Sequence, residues 1–166
     1  AVTLAEAGTG SSPTASISTP FHALDSNERN VVYASTGKRH DAASSTVADI
    51  TTEDLVIELV GKSTSAGATV FLDKNLGGTD GWRLSQNGSG PANLALRTGS
   101  VTTTISNSGS ANAWFHYVAF VDRNEASVNG AIGYVNGTAG TGVDASARAG
   151  SLTNASALSV GAANAS

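Results

Sequence analysis

The stretch from Trp114 to Asp122, Trp-Phe-His-Tyr-Val-Ala-Phe-Val-Asp, constrains what this chain can fold into more than any other. It is apolar on both alternating faces and rich in aromatic and β-branched residues. That pattern predicts a central strand of a sheet. After a loop containing Asn129-Gly130, residues Ala131 to Val135 form another predicted strand. Asn136-Gly137 then reads as a two-residue hairpin turn, because both central positions of a type I′ turn need positive φ.

Similar punctuation runs through the chain. In Asp54 to Val60, Leu55, Ile57 and Leu59 share one face, while Val56 and Val60 flank Glu58 on the other. A helix competes for this segment, but its β-branched content and the stop at Gly61 favour a strand. Further strands are predicted at Val31 to Tyr33, Ala68 to Asp73, Trp82 to Ser85, Asn93 to Arg97, Val101 to Ser106 and Ala157 to Val160. The loop with Asn75, Gly77, Gly78 and Gly81, and the turn at Asn87-Gly88, separate some of them. Val101 to Ser106 carries less apolar content and is expected at a half-exposed position. Short strands with Gly and Asn turns and no long helix imply a sandwich or barrel, and no fixed-period repeat suggests a propeller or solenoid. Residues 1–30 read as a small-residue arm or linker, with a short helical turn at Thr3 to Ala7, and residues 31–166 as the folded domain.

With 166 residues one core suffices. The net charge of −4 and the scattering of only nine Lys and Arg argue against a nucleic-acid surface. The absence of Cys removes disulfide scaffolds, zinc ribbons and thiol nucleophiles, and leaves the compartment open. No apolar run approaches the roughly 20 residues of a membrane-spanning helix. The chain starts at Ala1 and contains no Met. Both removal of an initiator and cleavage at a processing site fit that start.

The order of these elements resembles the laminin G-like family of concanavalin A-like domains. The resemblance is carried by Asp54 to Val60, by Phe71 to Lys74, by Gly81-Trp82-Arg83-Leu84 and by Leu94 to Leu96. Above all it is carried by Trp114, His116, Val118 and Ala119 followed by Tyr134-Val135-Asn136-Gly137. It covers roughly Val31 to Ala162. It implies an all-β fold, a two-sheet antiparallel jelly-roll sandwich, with binding of sugars, proteins or sulfated glycans in some members. Family members usually continue beyond the position of Val160-Gly161 with closing strands, whereas this sequence ends at Ser166. The expectation is therefore either that the sequence is truncated and lacks its closing strands, or that the residues before Tyr33 and a neighbouring subunit cover an open edge.

Laminarinase-type glucanases share this fold and place acidic residues on alternate positions of one strand. No strand here has that pattern, since the close pair Glu53 and Asp54 would face opposite ways and Glu58 reads as an outward or edge carboxylate. Of the three histidines, His22, His40 and His116, the last lies on the face of Trp114 and Val118 and reads as a packed, satisfied ring. The fold often carries Ca²⁺ between oxygen-rich loops, which makes Asp73, Asn75, Asp80 and Asp122 the candidate ligands. For a sugar, the candidate patch is Trp82 with Arg83, Gln86 and Asn87, although the family pattern gives Trp82 a packing role. Asn-x-Ser/Thr sequons at Asn87, Asn136, Asn154 and Asn164 follow from the composition.

These features predict a non-catalytic module on an extracellular, cell or virion surface that binds a glycan or a surface protein. The alternative is a structural or decoration protein of a phage virion or bacterial surface that self-associates through strand edges.

Overall fold

The computed structural model describes residues 4–7, 15–16, 31–32, 39–42, 46, 48–62, 68–74, 78, 80–87, 92–107 and 113–161. Thirteen strands run through them. They are β1 (Leu4–Ala7), β2 (Ala15–Ser16), β3 (Val31–Val32), β4 (Arg39–Ala42), β5 (Leu55–Lys62), β6 (Ala68–Lys74) and β7 (Asp80–Asn87), followed by β8 (Ala92–Thr98), β9 (Val101–Asn107), β10 (Trp114–Val121), β11 (Ala131–Val135), β12 (Thr138–Ala139) and β13 (Ser159–Val160). A 3₁₀ turn spans Ser146–Arg148. Among the described residues there is no α-helix.

Two antiparallel sheets make a sandwich. The larger has the order β1-β4-β13-β6-β7-β8-β9 and the smaller β12-β11-β10-β5, while β2 and β3 pair separately. The neighbours β4–β13, β13–β6 and β10–β5 are far apart in sequence, so the chain crosses between the sheets repeatedly in the jelly-roll manner. The expected helical turn near the start is a strand, β1, paired with β4 at the edge of the larger sheet. Residues 4–7 therefore pair into the larger sheet.

Alternation explains most of the core. In β5, Leu55 and Ile57 are buried while Val56 and Glu58 are exposed, the period of two that separates a strand from a helix. β10 lies between β5 and β11, a central strand as its sequence predicts. Only one of its apolar faces is buried, however. Phe115, Tyr117, Ala119 and Val121 point inward, against Leu84, Leu94, Leu96 and Ile105 of the opposite sheet and Leu152 of the C-terminal stretch. The other face carries Trp114, His116, Val118 and Phe120.

A bulge in β6 between Val70 and Leu72 puts Phe71 edge-on to Phe115, with ring centroids 5.4 Å apart. Beyond the bulge Lys74 pairs with Trp82 and is fully buried. Its ammonium lies 2.9 Å from Asp49 Oδ1 and donates to the carbonyl of Ser156 at 2.5 Å. The C-terminal stretch is fastened from the other direction by Asn154 Nδ2, which donates to the carbonyls of Lys74 (2.9 Å) and Asp80 (3.1 Å). Buried Arg123 donates to the carbonyls of Thr51, Glu53, Arg148 and Gly150. Arg148 in turn donates to the carbonyls of Thr98 and Val101. These bonds satisfy carbonyls of loops and strand ends that would otherwise be buried at a cost.

Candidate ligand face on the four-stranded sheet

The smaller sheet presents its outer face as a grid fixed by register. Trp114 lies opposite Lys62, His116 opposite Val60, Val118 opposite Glu58, and Phe120 opposite Val56. On the other flank Val118 pairs with Tyr134 and Phe120 with Ile132. Because side chains alternate, every one of these shares the outward face. The result is an apolar and aromatic surface. Val56 is 62% exposed, Phe120 50%, Trp114 39% and Val60 38%. Phe120 and Tyr134, diagonal neighbours, meet edge to face at 6.0 Å.

Polar groups sit inside this surface. His116 Nε2 lies 2.7 Å from Glu58 Oε1, again a diagonal pair across neighbouring strands. Its side chain is 44% exposed and that of Glu58 67%. His116 is thus satisfied, as expected, but by a surface carboxylate rather than by packing in the core. At the end of the hairpin, Asn136 Oδ1 accepts the backbone N–H of His116 at 2.9 Å, and the N–H of Asn136 donates to the His116 carbonyl at 2.8 Å. Beside Phe120, a shallow, mostly apolar groove of about 300 Å³ is lined by Asp54, Leu55, Val56, Phe120, Val121 and Asp122.

The sugar patch expected around Trp82 takes another form. Trp82 is 4% exposed, and its Nε1 donates to the Ala48 carbonyl at 3.3 Å, so its ring is core packing and offers no stacking surface. Gln86 is buried on the same inward face. Arg83 points the opposite way, where its guanidinium grips Asp73 with two bonds of 3.1 Å. The backbone of Asn87 pairs with Ala68, while its side chain lies outside the described residues. Alternation therefore divides the patch between two faces of β7.

Of the candidate calcium ligands, the three that are described are held in separate places. Asp73 is buried and held by Arg83. Asp80 Oδ1 accepts the N–H of Gly99 at 3.0 Å. Asp122, at the end of a strand of the other sheet, accepts the N–H groups of Asn124 and Glu125 and shapes its own turn. Asn75 lies outside the described residues. Among those residues no group of three His, Asp or Glu side chains could hold a metal ion.

Trp114, Phe120 and Tyr134 are not among the ligand-binding candidates that the sequence offers, although Trp114 and Tyr134 carry the family resemblance. The available signal was the even-numbered set on β10, which contains His116 and pairs with the face of β5 bearing Glu58. A polar residue on each of two facing strands marks the wet side of a half-buried sheet. Neither a protein-family model nor a curated protein matches this chain.

Proposed function

We propose that this protein is a non-catalytic binding module whose ligand face is the outer surface of the four-stranded sheet, and that its ligand is a glycan met on the outside of a cell or virion. The observation that carries the reading is the exposure of Trp114 and Phe120 on one face beside the half-buried ring of Tyr134, with the His116–Glu58 pair among them. Aromatic rings offer flat apolar area at little conformational cost, which suits the C–H faces of a pyranose. Imidazole, carboxylate, the Lys62 ammonium and the Tyr134 hydroxyl supply donors and acceptors for sugar hydroxyls. The resemblance to laminin G-like domains, borne by Trp114, His116 and Tyr134 to Gly137, supports the same class of function.

The test is a glycan array followed by calorimetry on the best ligand, with Trp114→Ala beside the wild type. Binding weakened about tenfold or more by Trp114→Ala, with the melting temperature preserved, is the expected result. A wild type that binds no glycan, or a variant that binds undiminished, overturns it. A second reading, a structural unit of a larger surface assembly, is favoured by the long edge strand β5. On that reading the apolar outer face is covered by protein rather than by sugar.

A further inference from the structure

The two edges of the four-stranded sheet are unlike each other. β12 is two residues long, and short edge strands resist unwanted pairing. β5 is eight residues long and keeps an unbroken register with β10 from Leu55 to Lys62, with no Pro and no bulge. Among the described residues no strand pairs with its other side. A regular edge of this kind offers a row of backbone donors and acceptors that another strand can complete.

We propose that this edge is a homodimer interface: β5 of one copy pairs antiparallel with β5 of a second about a two-fold axis at Val60, joining two four-stranded sheets into one of eight. Side chains select the register. A two-fold centred between residues would set the outward face of one strand beside the inward face of the other, which the pleat forbids. Centring on Glu58 sets two like carboxylates face to face. Centring on Leu59 sets Glu58 against a valine and Lys62 against a valine. Centring on Val60 places Glu58 opposite Lys62 of the partner subunit and Lys62 opposite the partner's Glu58, with the two Val60 side chains meeting on the axis. It is the centre within β5 that puts both charges opposite their complements, and a two-fold makes the pair twice.

The groups are ready for it. Glu58 holds His116 through Oε1, leaving Oε2 for an ammonium, and Lys62 is exposed with no ion pair among the described residues. Val60 is 38% exposed as a monomer and would be covered. The inference goes beyond the ligand reading and shares Glu58 and Lys62 with it, while the aromatic outer faces of the two subunits stay uncovered side by side.

Sedimentation equilibrium on the full chain over a range of concentrations tests the proposal. The wild type is expected as a dimer. Glu58→Lys and Lys62→Glu, each checked for an unchanged circular dichroism spectrum, are expected to raise the dimer dissociation constant about tenfold or more, because each sets like charges opposite one another. An equimolar mixture of the two variants restores opposite charges at both positions and is expected to form a heterodimer of wild-type affinity. A monomeric wild type, a dimer indifferent to both substitutions, or a mixture that stays monomeric would each overturn it.

Discussion

Two residues of the core show how far a single side chain can be read. Arg123 is fully buried, and its guanidinium reaches four carbonyls, while its backbone N–H donates to Asp54 Oδ1 at 2.8 Å. Burial pushes its guanidinium below the ordinary arginine range, opposed by the charges of Asp54 and Glu53. It remains the planar fork that a lysine cannot copy. Arg123→Lys is therefore expected to destabilise the fold by about 3 kcal/mol, measured by urea unfolding, since several carbonyls lose their donor together. Tyr117 behaves differently. It is fully buried, and its hydroxyl makes no well-formed hydrogen bond among the described residues, with only the Leu94 backbone near enough to oppose the effect of burial. Burial pushes its phenol well above the usual tyrosine range. A raised folded pKa means that stability is intact below the unfolded value of about 10 and falls as pH climbs past it, by up to about 1.4 kcal/mol per pH unit. Tyr117→Phe should flatten that alkaline limb and change neutral-pH stability by less than about 1 kcal/mol, both read from melts at pH 7 and above pH 10.

At the scale of elements, the hairpin is the feature written most openly in the sequence. Asn136 and Gly137 have φ of 50° and 79°, the left-handed pair that a two-residue turn demands. A Cβ added to Gly137 meets nothing within 4 Å, so Gly137→Ala is expected to cost only the backbone penalty, about 1 kcal/mol, in thermal unfolding. Gly133, in the strand leading into the turn, is the contrast. A Cβ there would fall inside contact distance of Asn107 Oδ1 and the Tyr117 hydroxyl, so Gly133→Ala should cost more than Gly137→Ala, about 2 kcal/mol or above. The reason lies in Asn107 of the opposite sheet and Tyr117 of the neighbouring strand, and no local pattern around Gly133 announces it. The same limit affected the faces of β7 and β10. Alternation shows that Trp82 and Arg83 point opposite ways, yet which side is inside depends on the sheet packed against it. His116 and Glu58, distant in the sequence, meet because β10 and β5 are neighbours, a pairing that crosses between non-consecutive strands.

At the scale of the molecule, the sandwich is held by side chains that tie loops to strands as well as by its apolar core. Lys74 joins β6 to Asp49 and to the carbonyls of Asn154 and Ser156, and Asn154 returns bonds to Lys74 and Asp80. Lys74→Met keeps most of the volume but strands a half-buried carboxylate and two carbonyls. We expect a loss of about 3 kcal/mol, with faster hydrogen exchange in residues 152–161 than elsewhere in the sandwich. The sequence alone determined the β class, the strand positions along most of the described chain, the Asn136-Gly137 turn and the central place of β10. Those follow from short-range rules: a period of two, turn residues with positive φ, and β-branched content. Only the tertiary structure decided that Trp82 belongs to the core and Trp114 to the surface, that β1 joins the larger sheet, and that β5 is an edge. Each of those depends on which strands become neighbours across long loops, and burial is a property of that arrangement rather than of any residue in it.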